Sequence, residues 1–137
     1  MTQEDKRLLL KDLCNRIMYG VKCAVYENTD VHTLSGVLPN KVYNELYFEE
    51  LDWKECNGFA DIQYCKPYLF PLSNMTKEQR YELHDLIHNL NVLAINGEIG
   101  DWIVSSSEID WYNKNHFDYK GLIEKGLALD ATGLNIY

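Results

Sequence analysis

Lys66-Pro67-Tyr68-Leu69-Phe70-Pro71-Leu72-Ser73-Asn74-Met75-Thr76-Lys77-Glu78-Gln79 divides the chain into two kinds of sequence. Upstream, from Val21, short runs with two-residue alternation read as strands; downstream, Leu83, Leu86, Ile87 and Leu90 recur at helical spacing. Pro67 and Pro71 lack the amide donor that a ladder uses, which predicts an edge strand or a strand exit. Thr76 and Gln79 have capping-box spacing: the Thr76 hydroxyl can accept the Gln79 amide, and the Gln79 side chain can reach back to the Thr76 amide. The stretch reads as the hinge of an α+β domain.

Working back from the hinge, four segments read as strands: Phe59–Phe70, Lys41–Phe48, Val31–Leu38 and Val21–Tyr26. They are separated by the polar turn Glu27–Asp30, by Pro39-Asn40 and by a longer acidic loop from Glu49 to Gly58. Short strands joined by turns predict an antiparallel four-stranded meander or a partly open small barrel, with one face covered by a helix. Thr2–Ile17 supplies that helix, with Leu9, Leu10, Leu13, Cys14 and Ile17 expected along its buried stripe and Gly20 at its stop.

Working forward, Thr76–Asn89 is a helix. Asn96-Gly97 predicts a type I′ hairpin turn between Val92–Ile95 and Glu98–Val104, the alternative being a loop after a longer helix. Ser105-Ser106-Ser107 offers N-caps to a short helix, Glu108–Asn115. Gly121 and Gly126 interrupt any long helix after it, and the tail Asp130–Tyr137 has no periodicity and is expected to be ordered by docking. The expectation is one α+β domain over 1–137: an N-terminal helix, a central antiparallel sheet and a helical C-terminal half.

A net charge of −8 argues against non-specific nucleic-acid binding, which needs a basic surface to displace counterions. It also argues against an anionic membrane surface, and no apolar run approaches the roughly 20 residues of a membrane span. Met1–Lys6 lacks a basic head followed by an apolar stretch, so no signal peptide is expected and the location expected is cytoplasmic. Cys14, Cys23, Cys56 and Cys65 are then expected as reduced thiols, and none forms a C-x-x-C pair. There is no phosphate-binding glycine loop and no G-x-S-x-G elbow; no cofactor is expected.

Two constellations could carry chemistry. His84 and His88 stand at i and i+4 around Asp85, a relative of the H-E-x-x-H zinc arrangement with a shorter acid. A metal-dependent hydrolase built on them needs a third ligand, for which Asp110, His116 and Asp118 are the candidates. The second is Asp110–Leu122, where Trp111, Tyr112, His116, Asp118 and Tyr119 are the candidate binding residues. A His116–Asp118 hydrogen bond would raise the imidazole pKa. The competing reading makes this segment an anchor, with Trp111, Phe117 and Leu122 buried and the polar groups on turn amides. Ten tyrosines, among them Tyr26, Tyr43, Tyr47, Tyr64 and Tyr68 on the strands, either line the core margin or form a contact patch.

Pro67–Thr76 and Asp110–Ile123 resemble a group of short uncharacterised proteins of gut Bacteroides-type bacteria, often carried in phage or other mobile-element regions. The resemblance runs along most of the chain and is weakest over Asn91–Glu108. It implies a cytoplasmic accessory protein, phage- or prophage-encoded, and carries no activity or site residue. The function expected is a non-enzymatic module that binds a protein or a small ligand through aromatic surface residues. Its rivals are the His84/His88 hydrolase and an acidic decoy that occupies the surface of a nucleic-acid-binding protein.

Overall fold

The computed structural model describes residues 1–27, 30–38, 44–49, 51 and 58–137. The chain is α+β. Helix α1, Gln3–Arg16, starts from Thr2, whose hydroxyl accepts the Asp5 amide while the Asp5 carboxylate accepts the Thr2 amide, both at 3.0 Å. A 3-10 turn over Ile17–Tyr19 ends at Gly20 in the left-handed conformation. The buried face of α1 differs from the expected stripe. Leu9 and Leu13 are buried, but Cys14 is exposed and its place is taken by Asp12 and Arg16. The buried face therefore runs through Leu9, Asp12, Leu13 and Arg16, and it can hold two charges because Asp12 and Arg16 neutralise each other inside it.

Eight strands follow: β1 Lys22–Val25, β2 His32–Thr33, β3 Gly36–Leu38, β4 Glu45–Tyr47, β5 Phe59–Asp61, β6 Cys65–Pro71, β7 Phe117–Asp118 and β8 Leu129–Asp130. They make two sheets, not one meander. β3, β4 and β5 form an antiparallel three-stranded meander. β6 is the hub of the other sheet, antiparallel to β1, which pairs with β2, and parallel to β7 and β8. The predicted strand Val31–Leu38 is therefore split between sheets, and Phe59–Phe70 is broken by a 3-10 turn at Ile62–Tyr64. No closed barrel forms among the described residues. Tyr43 and Cys56, like Lys41 and Val42 of the predicted third strand, lie outside the described residues.

The prolines predicted an edge strand or a strand exit: Pro71 is the exit of β6, but the strand is central, not an edge. The reason lies in how its neighbours share it. β1 covers Cys65–Pro67, β8 covers Tyr68 and Leu69, and β7 covers Phe70 and Pro71. Pro67 and Pro71 each fall at the end of a short ladder, where a missing donor is tolerated. The largest buried cluster joins α1 (Leu9, Leu13), β1 (Val21 beside it, Cys23, Val25), the small sheet (Leu46, Ala60), β6 (Cys65, Leu69) and the C-terminal segment (Leu122, Leu127, Ala128).

Between β6 and β7 the chain leaves this body and returns. Helix α2, Lys77–Ile95, opens on the expected box: the Thr76 hydroxyl accepts the Gln79 amide at 3.1 Å, and Gln79 accepts the Thr76 amide at 2.9 Å. At Asn96-Gly97 the hairpin does not form and the alternative does: α2 runs on to Ile95, a loop follows, and α3 spans Asp101–Lys114. The amides of Gly97 and Glu98 return to the carbonyls of Ala94 and Leu93, with Gly97 at φ +74. This is a helix C-cap, and it uses the same positive φ that a type I′ turn would have needed. α2 packs on α3, and α3 packs on α1 and β7. From residue 84 to residue 110 no side chain is buried. The two helices form an arm.

Candidate functional site

The foot of the arm gathers the predicted binding residues. His116 closes α3 in a left-handed conformation, φ +61, and its carbonyl accepts the Phe70 amide at 2.8 Å. That turn starts β7 and sets a run of rings. Tyr119 stacks on Tyr112, Tyr112 meets Trp111 edge-on, Trp111 stacks on Phe117 at 5.7 Å, and Phe117 leans on Phe70. Phe70 meets Tyr137, whose ring lies 3.5 Å from His116. Trp111, Phe117 and Asp118 are buried, while Tyr112, His116 and Tyr119 are half-buried. The run is thus an internal spine as much as a surface, as expected for large aromatic side chains.

Asp118 and His116 do not pair as the sequence suggested. The Asp118 carboxylate accepts the amides of Leu122 and Ile123 at 2.8 and 2.9 Å, tying down the segment that follows. The His116 imidazole is pushed down to about 4, first by burial and then by the positive charges of Arg16 and Lys22. It is neutral at physiological pH. Tyr137 explains the order of the tail: its hydroxyl accepts the Lys22 amide of β1 at 2.9 Å and donates to the Tyr68 carbonyl of β6 at 2.8 Å.

Beneath the spine lies a polar cluster that sequence reasoning missed. Asp12 and Arg16 are both 0% exposed and pair at 2.8 Å; Arg16 Nη2 also donates to the Phe117 carbonyl at 2.7 Å. Lys120 Nζ stands 3.7 Å from Asp12, too far for a hydrogen bond, and both cations lie over the Tyr119 ring. Burial and the Asp12 charge raise the Tyr119 phenol. Asn113 and Asn15 stand close enough to oppose that rise, but neither reaches the hydroxyl in hydrogen-bond geometry. The one sequence signal was the i, i+4 spacing of Asp12 and Arg16, and it did not reveal the cluster because such pairs are ordinarily read as surface pairs.

The histidines of the metal reading sit on the exposed side of α2, rings parallel with centroids 6.3 Å apart. Among the described residues no group of three His, Cys, Asp or Glu side chains could hold an ion, so the third ligand that this reading requires is not placed. Asp110, one candidate, instead accepts a short hydrogen bond from the Tyr19 hydroxyl. Cys14, Cys23 and Cys65 are free thiols, and burial pushes Cys65 up to about 12.

The arm itself presents the largest contrast with the body. Ile95 is 84% and Trp102 73% exposed, with Val92 and Leu93 also open. Val92 and Ile95 are three apart and share one face of α2. From Tyr81 to Asn113 there are six carboxylates, at Glu82, Asp85, Glu98, Asp101, Glu108 and Asp110, and neither Lys nor Arg. At the foot, between α2 and α3, opens a groove of about 670 Å³ lined by Glu82, Leu86, Ser107, Asp110, Trp111 and Lys114 among others. Glu82 accepts the Trp111 indole N–H there at 3.2 Å.

Fold and site together define an α+β body that carries a projecting, acidic, apolar-tipped helical hairpin. No protein-family model, curated protein or solved structure matches the chain. No helix among the described residues is long and apolar enough to cross a membrane.

Proposed function

We propose that the chain is a non-enzymatic accessory module that binds a protein partner through the arm, working in the cytoplasm. The observation that carries this reading is the exposure of Ile95 and Trp102 on an element whose distal turns bury nothing. Large apolar side chains clustered on a protruding element mark contact surfaces, and tryptophan is the residue most often found at their energetic centre. The resemblance to short proteins of Bacteroides-type bacteria supports an accessory role, phage- or prophage-borne. The two stretches that carry it, Pro67–Thr76 and Asp110–Ile123, include the strand that launches the arm and the segment that receives it.

Affinity capture from a lysate of such bacteria tests the reading, comparing the natural chain with Ile95→Ser/Trp102→Ser. A partner held by the first and lost by the second supports it. A partner held equally by both moves the contact surface elsewhere. The six carboxylates favour a second reading, an acidic decoy for a nucleic-acid-binding surface. A decoy acts through charge, so its partner would be released by salt and by nucleic acid while tolerating Trp102→Ser.

A further inference from the structure

We propose that the segment received by the arm is a basic amphipathic helix: one apolar face for the tip, with lysine or arginine along its flanks. This rests on the reading of the arm as the contact surface and adds the chemistry of what it contacts.

The sign of the charge comes first. Five of the six carboxylates between Tyr81 and Asn113 are exposed, with no cation among them to offset the field. A second copy of the chain would set those carboxylates against their own kind, and an anionic bilayer would repel them. A cationic partner is drawn to them, and the apolar tip then selects among cations. Val92, Ile95 and Trp102 offer nothing to a purely ionic ligand but match a helix with a leucine-type face.

Shape points the same way. At about 1.5 Å per residue, the 19 residues of α2 extend for about 28 Å, enough to lie along a partner helix of five turns. The groove at the foot suits one long basic side chain. Trp111 supplies an aromatic wall and Glu82 and Asp110 supply carboxylates. Each of those carboxylates has accepted one hydrogen bond, from Trp111 and from Tyr19, and an ionised carboxylate has sites for about four. Lys114 on the same rim is the one cation a ligand would have to pass.

The test uses three synthetic peptides of about 18 residues: a Lys/Leu sequence with one apolar helical face, the same sequence with Glu for Lys, and a scramble of the first without that face. Calorimetry, supported by the intrinsic tryptophan emission of the full chain, reports binding at low and high salt. The amphipathic basic peptide is expected to bind, with the acidic one inert and the scramble weaker by about tenfold or more. Ile95→Ser/Trp102→Ser and, separately, Glu98→Lys/Asp101→Lys should each weaken it by about tenfold, while Glu124→Lys, a charge change on the body, should not. Equal binding of scramble and amphipathic peptide, or an equal effect of Glu124→Lys, would reduce the attraction to net charge and overturn the proposal. Sedimentation distinguishes the remaining case. A dimer broken by Trp102→Ser would keep the arm as a docking surface and replace the basic helix with a second copy. If no peptide binds and lysate capture is also indifferent to the tip, the contact-surface reading falls too.

Discussion

The body and the arm treat polarity in opposite ways. In the body, an ion pair on α1 is sealed at 0% exposure beneath a spine of rings; on the arm, isoleucine and tryptophan stand 84% and 73% open. Buried charge is costly unless paired, and exposed hydrocarbon gains nothing from folding. Each region therefore carries a feature that packing alone would not select. In the body that feature has an internal role: Arg16 ties α1 to β7 through the Phe117 carbonyl. On the arm it packs against nothing that buries it among the described residues, and this is the feature that the proposed contact surface accounts for.

Removing one partner of the buried pair gives the largest expected effect. Asp12→Ala leaves Arg16 and Lys120 facing each other without their anion, and should cost about 3–5 kcal/mol in urea unfolding. Ile95→Ser should stay within about 0.5 kcal/mol in the same assay. Similar losses from the two would erase the distinction between body and arm. Next comes the tail. Tyr137→Phe removes the hydroxyl that joins β1 to β6 through two hydrogen bonds, and should cost about 1–2 kcal/mol.

The finest probe is pH. His116 is held near 4, below its ordinary 6.5, so the unfolded chain takes up the proton first. Stability from the neutral ring is complete above about 6.5 and is lost as pH falls toward 4. His116→Asn keeps a residue that tolerates the left-handed backbone and should flatten that slope. An unchanged slope would assign the acid sensitivity to the carboxylates instead.

What the sequence made legible was local. Thr76 with Gln79 caps its helix within one turn, so the spacing suffices and the box forms; the Thr2–Asp5 box at the start of α1 has the same spacing and went unread. Features that depend on distant partners were not legible. Arg16 is buried because Phe117, 101 residues away, offers a carbonyl. Pro67 can sit in a central strand because β8, from Leu129, takes over the ladder where β1 ends. Asn96-Gly97 leaves a hairpin and a loop after a longer helix both open, because a positive φ serves a strand turn and a helix cap alike; what decides between them is Val92–Ile95 continuing α2. Of the candidate site, the sequence marked Trp111–Tyr119 by its ring density. It could not separate the buried Trp111 and Asp118 from the exposed Trp102, since amphipathic rings serve interior and surface equally.

Phe70 and Phe117 are register partners, so the arm departs from and rejoins the sheet at adjacent points. A detour with coincident ends places no demand on its own length. Because the turns between residues 84 and 110 bury no side chain, whole turns trimmed from or spliced into that distal part leave the packed residues beneath them in place. The body is in this sense a socket, and the helical hairpin a cartridge that can be exchanged while the socket stays as it is.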